Sequence, residues 1–131
     1  MSNYLILCSD KPLKKTKLNL KKILIDKKIW QNLSLPMIHS YSLDPVADIE
    51  KTREAELSAP EFYKATCRFF EDLYDLCSSQ LKVTSNVFLI QTFYGQNFKD
   101  IFLVKQVMSI DKLKLPYISF DFNTIYQFAN K

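Results

Sequence analysis

Ser58-Ala59-Pro60-Glu61-Phe62-Tyr63 opens the stretch on which the fold turns, a run that continues to Ser79-Gln80 without a helix breaker. Ser58 and Glu61 have the S-x-x-E spacing of a capping box, in which the serine accepts from the glutamate N–H and the glutamate reaches back to the serine N–H. Pro60 suits a first helical turn, where its missing N–H costs nothing. Leu57 and Phe62 stand at the spacing of a hydrophobic staple. Together these signals predict a helix over about 59–80. Its polar positions, Lys64, Arg68, Glu71, Asp72, Asp75 and Ser79, recur every three or four residues and form one stripe. Phe62, Tyr63, Ala65, Cys67, Phe69, Phe70, Leu73, Tyr74, Leu76 and Cys77 cover the rest. A helix apolar over so much of its circumference is expected to be largely enclosed against a sheet.

Upstream of this helix, Asp44-Pro45 supplies a cap and a first-turn proline, which predicts a charged helix over about 45–57. Leu35 to Leu43 carries Pro36 and several serines and reads as a loop. Between Lys14 and Leu35, Leu18, Leu20, Ile23 and Ile25 alternate imperfectly, with a turn at Asp26-Lys27-Lys28. Strands are favoured there, although Leu20, Ile23, Leu24 and Trp30 also fit a helix face. Tyr4 to Cys8 is a short apolar run ended by Ser9-Asp10-Lys11-Pro12, a buried strand and its turn.

Downstream the period changes to two. Val87–Tyr94 and Ile101–Ile110 read as strands joined at Gly95-Gln96-Asn97, a hairpin. Ile118, Phe120 and Phe122 alternate with Tyr117, Ser119 and Asp121, a half-buried strand after the short linker 111–116. Tyr126 and Phe128 continue it or lie on a short terminal helix. Strands, then two helices, then strands favour an α+β fold: a mainly antiparallel sheet with two central helices, about 45–57 and 59–80, packed on one face. The 131 residues suit a single domain over 1–131, and no repeat or linker divides it.

Several function classes are excluded by composition. With Gly95 as the one glycine, the chain holds no Walker loop, no G-x-G-x-x-G turn and no G-x-S-x-G elbow. Cys8, Cys67 and Cys77 show no C-x-x-C spacing. Cys67 and Cys77 lie about 15 Å apart along one helix, too far to bridge within it. All three read as free thiols in a reducing compartment. Met1 to Asp10 lacks a signal-peptide pattern and no run reaches transmembrane length, so a cytoplasmic location away from any membrane is expected.

Candidate chemistry is sparse. His39 is the one histidine, which leaves no metal set at zinc spacing, and a Cys–His pair would have to draw on Cys8, Cys67 or Cys77. Glu71 and Asp75 stand one helical turn apart and could share a cation, but pairing with Arg68 on an exposed face is the plainer explanation. Tyr117, Phe120, Phe122, Tyr126 and Phe128 could stack on bases, but core packing accounts for them more simply. No enzyme, cofactor or metal is therefore expected.

Charge is unevenly divided. Residues 1–43 hold eight lysines against two aspartates, a net +6. Residues 44–75 hold nine carboxylates against four cations, a net −5, and residues 76–131 return to +3. Such blocks select partners. The expected function is that of a non-enzymatic protein-binding protein, an immunity protein or antitoxin that occludes a toxin, with a basic toxin domain such as a nuclease as its partner. Asp48, Glu50, Glu54, Glu71, Asp72 and Asp75 would face that partner. The alternatives are a nucleic-acid-associated protein using Lys14, Lys15, Lys17, Lys21, Lys22, Lys27 and Lys28, or a virus-encoded modulator of a host protein. A monomer or a homodimer is expected.

Overall fold

Leu5, Ile6, Leu7 and Cys8 are each fully buried, which requires that strand β1 (Asn3–Ser9) have cover on both faces and a neighbour on both edges. The computed structural model describes residues 3–13, 17–25, 30–31, 34–35, 38–43, 50–93, 104–121 and 124–130. In it β1 lies third in a six-stranded sheet with β2 (Leu20–Ile23), β3 (His39–Leu43), β4 (Val87–Phe93), β5 (Val104–Ser109) and β6 (Thr124–Ala129), in the order β2-β3-β1-β4-β6-β5. Neighbours are antiparallel except β5 and β6, which run parallel.

Alternation along each strand divides the core into two layers. Leu5 and Leu7, Val87 and Leu89, and Tyr126 and Phe128 face the long helix α2 (Pro60–Gln80), meeting Phe69, Phe70, Leu73, Leu76 and Cys77. Ile6 and Cys8, Phe88 and Ile90, and Ile125 face the other way, onto Trp30, with Ile23, Ile25, Leu35 and Ile38 packed around it. Each of these fully buried side chains contributes about 1.5–3 kcal/mol. The mixed α and β architecture, one long helix on a mostly antiparallel sheet, matches the expectation.

Several finer expectations are corrected. The helix α1 is short, Arg53–Ser58, and starts from Thr52, whose hydroxyl accepts from Ala55 N. It buries no side chain, so it is peripheral and not a second central helix. The capping box does not form. Ser58 is the last residue of α1, and its hydroxyl donates back to the Glu54 carbonyl at 2.7 Å, the i−4 bond open to a serine already in a helix. Ala59 caps α2 without a side-chain bond. Leu57 and Phe62 remain exposed at 70% and 45%, so the expected staple is not buried. Nor is α2 enclosed. Lys64, Arg68, Glu71, Asp75 and Ser79 lie along an exposed stripe, and burial is confined to one face.

The sheet order overturns the hairpin. β4 and β5 are separated by β6, which pairs with both, Ile90↔Ile125 on one side and Lys105↔Ile125 on the other. The turn at Gly95-Gln96-Asn97 lies outside the described residues. The strand expected over 117–122 reduces to one bridge, Ile118 to Lys51, with 119–121 irregular. Tyr126 and Phe128 instead belong to β6 itself. Residues 39–43, expected in a loop, form β3 between β2 and β1. Ser40 and Ser42 hid the strand because serine is a common loop residue. In the ambiguous 14–35 segment 20–23 is a strand, as favoured, so Leu20 and Ile23 do not share a helix face with Trp30, although Trp30 and Gln31 are themselves helical. That helix end closes with Leu35 N donating to Trp30 O and Ser34 N to Gln31 O, with Ser34 at φ 55°, the bond pair of a Schellman motif with a serine in the place usually held by glycine.

Candidate functional site

One group of interacting polar side chains lies where α1 and α2 meet the crossover from β5 to β6. Ile110–Lys114 forms a 3-10 turn whose Ile110 and Leu113 are buried beneath α2. The chain then passes Pro116 and Tyr117 before Ile118 pairs with Lys51, each N–H donating to the other's carbonyl at 2.9 Å. Lys51 is buried, and its Nζ donates to the Leu113 carbonyl at 2.7 Å while lying 4.9 Å from the Phe70 ring centre. Burial holds its ammonium below the ordinary lysine value, with Cys67 and Glu71 partly offsetting the effect.

Two tyrosines fasten the same junction. Tyr63 of α2 donates to the Pro116 carbonyl at 2.5 Å. Desolvation, then Cys67 and the negative charge of Glu56, push its phenol up to about 12. Tyr117 donates to Glu56 Oε1 at 2.6 Å, and that bond to a carboxylate raises its phenol above the usual range. The two rings stand 6.4 Å apart. These bonds lock both helices onto the crossover and fix the surface that their outer faces present.

Four of the expected acidic residues lie on these two helices. Glu54 is exposed on α1, and Glu71 and Asp75 are exposed on α2. Asp72 is half-buried beside a shallow groove shared with Lys17, Arg68 and Phe69. Glu50 is half-buried just before the Lys51 bridge. Asp48 lies outside the described residues. Among the described residues the one ion pair within 4 Å is Lys64–Glu61 at 3.5 Å. Arg68 forms no such pair with Glu71 or Asp72, contrary to the plainer explanation of their spacing.

The lysines do not converge in the same way. Lys14, Lys15, Lys27 and Lys28 lie outside the described residues. Lys17 is exposed before β2, and Lys21 and Lys22 are exposed on β2. As adjacent strand residues they point to opposite faces of the sheet. Of the aromatic set, Phe120, Tyr126 and Phe128 are buried in the core, Tyr117 is exposed with its hydroxyl bonded to Glu56, and Phe122 lies outside the described residues.

No protein-family model, no curated protein and no solved structure matches this chain.

His39 is on β3 and half-buried, paired in register with Ser9. Strand alternation directs it to the face opposite the Cys8 thiol. Burial pushes the Cys8 thiol up to about 12, a rise that the Ser40 hydroxyl only tempers, and it pushes the Cys77 thiol up as well. A thiol so placed holds almost no thiolate near neutrality. Cys67 is the one half-exposed cysteine. Among the described residues no three His, Cys, Asp or Glu side chains come together as a metal ion requires, and no described helix is long and apolar enough to cross a membrane. The Lys51 junction was missed in the sequence, where a lysine between Glu50 and Thr52 gave no sign of burial.

Proposed function

We propose that this chain is a non-enzymatic binding protein that neutralises a basic protein partner by covering it, in the manner of an immunity protein or antitoxin. One observation carries the reading. Glu54, Glu71 and Asp75 are exposed, and none forms an ion pair within 4 Å among the described residues. Their charge therefore remains directed outward on a surface whose backbone is fixed by the Tyr63, Tyr117 and Lys51 bonds. A pre-ordered acidic surface speeds encounter with a basic partner and loses little entropy on docking. A basic toxin domain, a nuclease among them, has the matching charge, and the cytoplasm is the compartment that the free thiols suit.

The test is a titration of the chain against the partner that co-purifies with it, comparing wild type with a Glu54→Lys, Glu71→Lys, Asp75→Lys variant. Reversal of three exposed charges is expected to weaken binding by at least about tenfold, mostly through slower association at low salt. Undiminished binding by the folded variant overturns the proposal. Recovery of nucleic acid alone, seen as absorbance at 260 nm, overturns it as well.

A further inference from the structure

The sheet face away from α2 carries a feature unrelated to the acidic surface. Ile23, Ile25, Trp30, Leu35 and Ile38 line a mostly apolar pocket of about 280 Å³ next to β2. That volume falls just below the range of about 300–1,000 Å³ for small-molecule sites, so it suits one bulky side chain better than a whole cofactor. Ser40 also lines it and is 2% exposed. At the rim stands Leu24, 97% exposed.

The pocket adjoins a sheet edge. β2 is the outermost strand and pairs only with β3 among the described residues. Among the described residues its outer edge is unpaired and offers backbone donors and acceptors to an added strand. Lys21 and Lys22, both exposed, set the charge of that edge. Two copies of β2 laid side by side would bring lysines against lysines, which is destabilising. A strand bearing carboxylates would not meet this repulsion.

We infer that the β2 edge is a docking site for an extended acidic peptide segment of a partner protein, which pairs along Leu20–Ile23 and places one bulky apolar side chain in the Trp30 pocket. The backbone edge supplies affinity, the pocket selects the anchor, and Lys21 and Lys22 select its acidic flanks. This inference is independent of the acidic α1 and α2 surface, because the two sites share no element.

Trp30 is the only tryptophan of the chain, so its emission reports the pocket directly. The probe is a blocked heptapeptide of alternating glutamate and valine with phenylalanine at its centre. Titration is expected to give a saturable change in Trp30 emission. Replacing the central phenylalanine by alanine, or the glutamates by lysines, should weaken it at least tenfold. Backbone N-methylation on the pairing edge should abolish it. In the protein, Lys21→Glu with Lys22→Glu, and separately Leu24→Asp, should each weaken binding about tenfold without unfolding, since all three side chains are exposed. No saturable change, equal binding of the lysine probe, or indifference to both variants would sink the inference. Sedimentation showing a dimer of the chain alone that Leu24→Asp dissolves would also overturn it, by making a second copy the occupant.

Discussion

Lys51 Nζ donates to the carbonyl of Leu113, 62 residues further along the chain, at 2.7 Å and out of reach of solvent. The bond joins the segment before α1 to the 3-10 turn beneath α2, and the ammonium lies 4.9 Å from the Phe70 ring centre. A buried cation is costly unless it is satisfied, and here a carbonyl and an aromatic face do so. Lys51→Ala removes the donor and leaves a gap, and should destabilise by about 2–4 kcal/mol. Lys51→Met restores the packing and removes the buried charge, and should cost about 1–2 kcal/mol. The pH dependence has a definite sign. The folded-state value of Lys51 is below 10.5, so the unfolded chain binds its proton more tightly. Wild type should therefore gain stability relative to Lys51→Met as pH rises from the lowered value towards 10.5. Urea midpoints of both proteins at pH 7 and pH 10 check this.

Asp10 shows the opposite sign. Burial alone would raise its carboxyl, but hydrogen bonds from Thr84 at 2.6 Å and Asn86 at 3.0 Å, with the Lys11 charge, outweigh it and leave the group below 3.8. Its contribution is complete above 3.8 and is lost as pH falls through the depressed folded value. Asp10→Asn should cost about 1 kcal/mol at neutral pH, a low figure because solvent screens this turn. The difference from wild type should close as pH falls below 3.8, read from thermal unfolding between pH 2 and 7.

What could be read in the sequence follows from how locally each feature is determined. The α2 helix and the buried strands β1 and β4 were legible because periodicity and apolar runs are properties of neighbouring residues. Strand order was not. Nothing in Val87–Phe93 or Val104–Ser109 records that β6 comes between them, since strand order is set by contacts between residues distant in the sequence. Helix ends misled for a related reason: Ser58 satisfies a capping pattern but was already committed to α1, and Ser34 adopts a left-handed conformation where a glycine would have signalled a stop. Of the candidate site, the exposure of Glu71 and Asp75 followed from the polar stripe, whereas the Trp30 pocket depended on β3, a strand disguised by its serines.

The inserted position of β6 is itself testable. Ile125 is fully buried between Ile90 of β4 and Lys105 of β5. Ile125→Ala should therefore cost about 2–4 kcal/mol, the range for a core truncation. Val107, 66% exposed on the outer strand β5, should lose within about 0.5 kcal/mol on truncation to alanine. Had β4 and β5 formed a hairpin with the C-terminal strand outside it, Ile125 would tolerate the change as an edge residue does. Denaturant curves of the two variants distinguish these arrangements.

Cys67 is set apart from the other two cysteines by access. Cys8 and Cys77 are fully buried with thiols pushed up by desolvation, whereas Cys67 is half-exposed on α2 beside Tyr63. Reaction with a disulfide reagent needs both thiolate and approach. The folded protein at pH 8 should therefore release one equivalent of thionitrobenzoate rapidly, and Cys67→Ser should abolish that phase. Cys8 and Cys77 should react only through opening of the β1 and α2 core, with rates that rise in step with added urea. Release of three equivalents at one fast rate from the folded protein would contradict the packing of both core layers, because Cys77 lies in the α2 layer and Cys8 in the Trp30 layer.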